Sequence, residues 1–140
     1  MVSKHELIEG VSQYLYDTLN TKGAEKNIPT LRKLVRGQTG SAEFATDYPC
    51  LFVACDGREV DGYFTRYDLS VGIALTAATM TEAEEFGDTW EDILEEIYRT
   101  DCSLGGLVLD ITGVQTISGK METGVWMVYS NITVEVQCEK

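Results

Sequence analysis

The sequence has few of the residues on which most catalytic and metal sites depend. Its 140 residues contain one histidine and four cysteines. The histidine, His5, lies close to the N-terminus, so a Ser-His or Cys-His mechanism would have to recruit it from the end of the chain. The cysteines, Cys50, Cys55, Cys102 and Cys138, form none of the closely spaced pairs that are typical of zinc ligands. We therefore expect His5 to be a surface residue and the cysteines to be reduced, small, buried side chains.

Long apolar runs are also absent. No stretch approaches the roughly 20 apolar residues needed to cross a bilayer, and the N-terminus lacks the apolar segment and small-residue cleavage site of a secretory signal. We therefore expect no contact with a membrane and a protein made in the cytoplasm. A length of 140 residues with 44% hydrophobic and 24% charged residues predicts one globular domain spanning residues 1–140.

Cations are scarce, since 11 Lys and Arg face 23 Asp and Glu for a net charge of −12. Binding to the outside of a nucleic acid depends on cations that neutralise phosphates. The composition therefore argues against that class of function. The exception is the segment NIPTLRKLVRG, whose Arg32, Lys33 and Arg36 form either a solvated face or a small basic patch.

Two amphipathic helices can be predicted from caps and periodicity. Ser3 and Glu6 have the spacing of a capping box, and the apolar residues that follow predict a helix over residues 4–19. Thr81 and Glu84 repeat the capping spacing, and the apolar stripe behind them predicts a second helix over about residues 82–99. The two stripes consist of Leu7, Ile8, Val11, Leu15 and Leu19, and of Phe86, Trp90, Ile93, Leu94 and Ile97.

Four segments predict strands. They are YPCLFVAC from Tyr48, RYDLSVGIALTAA from Arg66, LVLDITGVQTI from Leu107, and GVWMVYSNITVEVQ, whose apolar face is interrupted only by Ser130. DGRE, at residues 56–59, is expected to turn the chain after the first strand, and SGKMETG before the last. In RYDLSVGIALTAA the alternation predicts one buried side. The expected order α-β-β-α-β-β describes an α+β domain with two helices packed on one face of a mainly antiparallel sheet of four to five strands.

The second predicted helix is densely acidic, with eight carboxylates and one arginine between Met80 and Thr100. These acids occupy the positions that the apolar stripe leaves free, so we expect a broad outward face that serves solubility or an interface. Their spacing does not fit a calcium loop. A carboxylate pair for glycoside chemistry would need a pocket to separate the two pKa values, which a helix surface does not offer.

No other stretch indicates catalysis. GVQTISGKM resembles a phosphate loop, but its spacing is one residue too long and Lys120 is followed by Met121 instead of Ser or Thr. We interpret this stretch as a strand and a hairpin turn. The sequence therefore predicts no catalytic residue, no cofactor and no metal site, and we expect a protein that is not an enzyme.

In the order of its segments the chain resembles the tail terminator proteins of long-tailed bacteriophages. The resemblance is carried by the helix LIEGVSQYLYDTL, the strand YPCLFV, the strand YDLSVGIALTAA that leads into the acidic helix, and the junction LGGLVLDITG before the last strand. Together these segments span nearly the whole chain. None of them is a signature motif, so the similarity is one of pattern and length.

The resemblance implies a structural virion protein. Terminators form a ring, usually a hexamer, on the end of the tail tube, where they stop tube growth and present a docking surface for the head connector. The implied partners are further copies of the chain, the tail tube protein and a neck protein, while the genome passes through the lumen without specific binding. A closed ring needs two different patches on each subunit. Candidate interface residues lie in the basic segment and in the DGREVDGYF stretch: Arg32, Lys33, Arg36, Asp56, Arg58, Glu59, Asp61 and Tyr63.

Three alternatives stay open at this point. A neck or head-to-tail completion protein would share the compartment and the absence of chemistry. An acidic DNA mimic that inhibits a host nuclease would need carboxylates spread like phosphates over much of its surface, whereas here they concentrate on one helix. A small enzyme that uses ordinary polar residues in a cleft would leave no signature in the sequence.

Overall fold

The computed structural model of the chain describes residues 3–36, 47–122 and 124–137. Over these residues two helices and five strands follow one another, which confirms the α+β class. The observed order is α-β-β-β-α-β-β, so the prediction missed one strand. The elements are α1 (Lys4–Glu25), β1 (Lys33–Arg36), β2 (Cys50–Asp61), β3 (Phe64–Leu75), α2 (Met80–Thr100), β4 (Asp110–Glu122) and β5 (Val125–Gln137).

Both helices begin at a side-chain cap. The hydroxyl of Ser3 accepts the backbone N–H of Glu6 at 3.1 Å, as the capping spacing predicts. In α2 the cap is Thr79, which accepts the N–H of Glu82 at 3.1 Å, and not the predicted Thr81. Both threonines have a glutamate three residues later, so the spacing alone does not distinguish them.

The five strands form one sheet in the order β1-β2-β3-β5-β4. β1 runs parallel to β2, and the three other pairings are antiparallel. The predicted sheet is therefore corrected to a mixed one. The difference arises from β1, which has only four residues, KLVR, and too little apolar pattern of its own to be recognised.

Of the two predicted turns, the one at DGRE is wrong and the one at SGKMETG is confirmed only at the end of that stretch. The DGRE stretch lies inside β2, which passes it with an irregularity between Cys55 and Gly57. The chain reverses later, at Gly62 and Tyr63, where Gly62 has a φ of 58° that suits the first position of a type II′ turn. In SGKMETG the chain reverses only between Glu122 and Val125, because β4 remains paired with β5 up to Glu122.

The main core lies between the sheet and the helices. Alternate residues of β2, β3 and β5 face both helices and form one cluster with their apolar stripes. The opposite side of the sheet is also buried at one end, where Cys50, Phe52, Ala74 and Met127 are each at most 1% exposed. The prediction that β3 has one buried side is therefore wrong for its second half.

The cysteines differ from one another. Cys50 is buried, and its burial raises the pKa of the thiol to about 11, while Cys55 is half-buried. Cys102 is exposed, which corrects the expectation of buried cysteines. Cys138 lies outside the described residues. Among the described residues, Cys50, Cys55 and Cys102 are free cysteines.

Candidate interaction surfaces

The end of the β2–β3 hairpin, residues 56–64, stands clear of the helix layer, and we call it the arm. Side chains of a strand point alternately to the two faces of the sheet. Six consecutive residues from Arg58 to Tyr63 are nevertheless all exposed, so neither face is covered here. Two of them are large and apolar, namely Val60, which is 64% exposed, and Tyr63, which is 72% exposed. The arm therefore carries an uncovered apolar tip.

Ion pairs hold the arm to the rest of the sheet. The guanidinium of Arg66 contacts Asp61 at 3.0 Å and Glu59 at 3.6 Å on the arm. The same guanidinium contacts Glu135 of β5 at 3.1 Å. At the base of the arm the hydroxyl of Ser70 donates to the carboxylate of Asp56. Four of the predicted interface residues, Asp56, Arg58, Glu59 and Asp61, thus lie on the arm with Tyr63, and three of them support its conformation.

The basic segment, Arg32, Lys33 and Arg36, does not form one patch. Lys33 is paired in register with Cys50 and lies on the side of the sheet away from the helices. Arg36 lies on the helix side, where its Nε donates to the hydroxyl of Ser12 at 2.8 Å. Arg32 precedes the strand and is exposed, and its backbone N–H donates to the carbonyl of Pro49 at 2.8 Å. The three cations therefore line both sides of the β1 edge.

These cations lack acidic partners among the described residues. The ion pairs within those ranges involve His5, Lys22, Arg66 and Arg99 as the basic member. Exposed cations are readily solvated, so the lack of an acidic partner does not by itself indicate a function. It leaves the basic segment available to a partner outside the subunit.

Four of the acids of α2 form a row beside β4, and we call them the acidic row: Glu84, Asp88, Glu91 and Glu95. Their spacings of four, three and four residues place them on one side of the helix. Glu91 accepts the backbone N–H of Gly119 in β4. Glu95 borders a groove of about 390 Å³ that β4 lines with residues 114–117. The predicted outward face of acids is confirmed, and part of it follows the edge of the sheet.

The acidic row is not uniformly solvated. Glu91 is half-buried, unlike the exposed Glu84, Asp88 and Glu95. Its burial raises the pKa of the carboxyl group, and the hydrogen bond to Asp88 and the charges of Asp88 and Asp92 raise it further. Glu96, by contrast, lies on the α1 side of the helix, where it pairs with Lys22 at 3.3 Å.

A contact that the sequence did not predict joins α2 to the sheet. The indole of Trp126 lies against Gly87 of α2 and Gly119 of β4, and a Cβ on either glycine would approach its Nε1 to 2.2 Å or 2.5 Å. No larger residue fits either position without movement. A glycine inside an otherwise helical pattern is the signal that could have indicated this close approach.

A second contact anchors the loop after α2. The hydroxyl of Tyr14 donates to the carboxylate of Asp101, which also accepts the N–H of Gly105 at 2.9 Å and the hydroxyl of Ser103 at 2.8 Å. These hydrogen bonds, from Tyr14 first and then Ser103, lower the pKa of Asp101. The loop thereby holds α1 and the start of β4 in place.

Among the described residues, the side chains considered for catalysis or metal binding do not come together in one site. The side chain of His5 is 89% exposed, so its prediction as a surface residue is confirmed. Within the ranges given above, no three His, Cys, Asp or Glu side chains are placed to hold a metal ion. Neither α1 nor α2 combines the length and the apolar character that spanning a membrane requires.

Comparison with protein families and with curated sequences identifies no relative of this chain. No protein-family model matches the chain, and no curated protein sequence shows significant similarity to it.

Proposed function

We propose that this chain is a tail terminator of a long-tailed bacteriophage, a structural protein that forms a ring on the end of the tail tube. In this function it stops tube growth and provides the surface to which a neck protein docks. The observation that carries the proposal is the arm, whose apolar tip has no partner surface within the described part of the subunit. Exposed apolar side chains of this kind mark sites of association.

The arm has the properties required of a contact with the tube. Tyr63 offers a large, stiff side chain with a polar end, which makes tyrosine common at the centres of interfaces. The ion pairs of Arg66 order the arm before it binds, and such preorganisation reduces the entropy cost of association. We assign the arm to the tube end and the charged edges of the sheet to contacts between subunits.

The experiment measures capping of tail tubes of the same virus by the purified chain, observed by electron microscopy. Unmodified protein is expected to sit as a ring on one end of each tube and to block further growth. The double variant Val60→Thr, Tyr63→Ser is expected to lose tube binding while keeping its folded stability. The matched control is Met80→Ser, which removes an apolar side chain that is 52% exposed at the start of α2, and it should cap normally. A Met80→Ser variant that fails as badly as the arm variant would refute the role of the arm.

The lumen of the ring gives a second test. Duplex DNA carries one negative charge per about 1.7 Å, so a basic lining would hold the genome, whereas a neutral or acidic lining lets it slide. We expect no measurable binding of duplex DNA at physiological salt. DNA binding in a gel shift at low salt that is abolished by changing Arg32, Lys33 and Arg36 to Glu would instead favour a neck protein that grips DNA.

A further inference from the structure

We propose that β1 of one copy pairs with β4 of the next copy, so that neighbouring sheets join edge to edge around the ring. This inference rests on the proposed ring and specifies its subunit contact. Among the described strands, β1 is hydrogen-bonded only to β2 and β4 only to β5. Each therefore presents an edge of backbone N–H and C=O groups, which is a template for pairing with another chain.

The β4 edge is well suited to such pairing. Its first half is irregular, with register shifts between Ile111 and Gly113 and between Val114 and Thr116. From residue 116 to 122 the register with β5 is continuous, so these residues offer a regular edge, in which the N–H of Gly119 is already bonded to Glu91. Irregularities protect an edge from pairing, and a long regular one invites it.

Charge determines which edges meet. The β1 edge carries the basic segment, and α2 places the acidic row beside the β4 edge. Pairing β1 with β1 would bring cations together, and pairing β4 with β4 would bring two acidic rows together. Like charges placed opposite one another are destabilising, whereas β1 against β4 joins opposite charges. The contact is therefore heterologous, the type that generates a ring when the rotation closes.

The basic segment and the acidic row also match in length and in their position relative to the sheet. Arg32 to Arg36 spans about 13 Å in an extended chain, and Glu84 to Glu95 spans about 17 Å along a helix. Arg36 lies on the helix side of the sheet, as the acidic row does. The groove beside Glu95, which Arg99 also lines, leaves space at this edge for a side chain of the neighbour.

Strand direction follows from the topology. Along the order β1-β2-β3-β5-β4, one parallel pairing and three antiparallel ones make β1 and β4 of the same copy point in opposite directions. Rotation about a ring axis that runs roughly along the strands preserves each strand's direction. The β4–β1 contact between copies is therefore antiparallel, the pairing that is slightly more stable per residue.

The test reverses the charge on each edge separately. One variant carries Arg32→Glu and Lys33→Glu, and the other carries Asp88→Lys and Glu95→Lys. Arg36 and Glu91 are left unchanged because they bond Ser12 and the backbone of Gly119 within the subunit, whereas the ion pair of Glu95 with Arg99 is exposed and contributes little to stability. Each variant alone is expected to assemble at least about tenfold more weakly than the unmodified chain in gel filtration with light scattering. Mixed in equal amounts, the two variants should assemble again, because each reversed edge then meets an edge of opposite charge.

Matched controls change the same charges elsewhere. Lys4→Glu with Lys26→Glu leaves the β1 edge intact, and Glu85→Lys with Asp92→Lys leaves the acidic row intact. Both controls should assemble like the unmodified chain. In hydrogen exchange, the outward-facing backbone amides of residues 116–122 should become more protected on assembly. A mixture that stays unassembled, controls as defective as the edge variants, or amides that gain no protection would each overturn the inference.

The outcomes also separate this inference from the proposed function. Rings that form through these edges but do not bind tube ends would refute the terminator function and leave the edge contact standing. Tube ends capped equally well by both single edge variants would refute the edge contact and leave the function standing. A twofold dimer joined through β4 would contradict the edge contact directly.

Discussion

The junction between α2 and the sheet and the tip of the arm both use large aromatic side chains, but they bury them very differently. In the junction Trp90 is fully buried and the Nε1 of Trp126 is closed off between two glycines. On the arm Tyr63 is 72% exposed, and it projects from the end of the β2–β3 hairpin, which no described helix covers. Aromatic residues thus stabilise the subunit in one region and are available for association in the other.

The polar groups of the junction and of the arm also differ in how far they are buried. In the junction the hydroxyls of Tyr98 and Ser130 are buried and lie 2.7 Å apart, so the one polar residue that interrupts the apolar face of β5 has a partner. Burial also raises the pKa of Tyr98. The charges of the arm are exposed and pair with Arg66 at the surface. Buried pairs of this kind contribute to stability, whereas exposed ion pairs contribute little.

The largest difference in stability between the junction and the arm is expected when one aromatic side chain is removed from each. Trp90→Ala deletes a fully buried ring and is expected to lower the free energy of unfolding by about 3–5 kcal/mol. Tyr63→Ala should change it by less than about 0.5 kcal/mol, because the side chain buries little surface. Urea denaturation measures both. Equal losses would show that the arm belongs to the folded core.

The glycine contacts of Trp126 provide the second test. Gly87→Ala would place its Cβ 2.2 Å from the indole Nε1, so we expect a loss of about 1–3 kcal/mol from overpacking. Alanine favours a helix by about 1 kcal/mol over glycine, which makes a loss at this helical position informative. Gly113→Ala is the control, because a Cβ added there would meet no heavy atom of the described residues within 4 Å beyond its chain neighbours. A Gly87→Ala variant as stable as the parent would mean that Trp126 does not lie against α2.

A smaller and pH-dependent change in stability is expected at Asp101, in the loop after α2. The lowered pKa of Asp101 means that its contribution to stability is present above the ordinary value of 3.8 and is lost as the pH falls below it. Asp101→Asn should therefore cost about 1 kcal/mol at pH 7, and the difference should shrink below pH 3.8. The exposed Asp92→Asn serves as the control. A cost that is independent of pH would contradict the role of the carboxylate charge.

The smallest effect is expected at Glu91. Because its pKa is raised, the charged form is unfavourable in the folded protein, and stability is lost as the pH rises through that pKa. Glu91→Gln should stabilise the fold at pH 7 by less than about 0.5 kcal/mol once solvent screening is allowed for. The gain should vanish below pH 4.5, where the carboxyl is protonated in both states. Glu85→Gln, on the exposed face of α2, is the matched control, and thermal denaturation measures both variants.

The helices and most strands could be predicted because their patterns are local. The stripes of α1 and α2 recur at helical spacing, and one face of β5 is apolar apart from Ser130. β1 could not be predicted, because KLVR becomes a strand only through its pairing with β2. DGRE has the composition of a turn, but pairing with β3 carries β2 past it.

Of the candidate interface, the sequence located the arm but not its extent or its ion pairs. Asp56, Arg58, Glu59, Asp61 and Tyr63 do lie together there. Arg32, Lys33 and Arg36 are close together in the chain, yet strand alternation places Lys33 and Arg36 on opposite sides of the sheet.

The local sequence pattern determined two amphipathic helices, the apolar strands and an acidic excess concentrated on α2. These properties depend on side chains a few residues apart, so a period of 3.6 or 2 is enough to recognise them. The tertiary structure alone decided which strands became edges, how Trp126 meets two glycines, and where the arm leaves the helix layer. Each of these depends on contacts between residues far apart in the chain, and such contacts leave no periodic trace in the sequence.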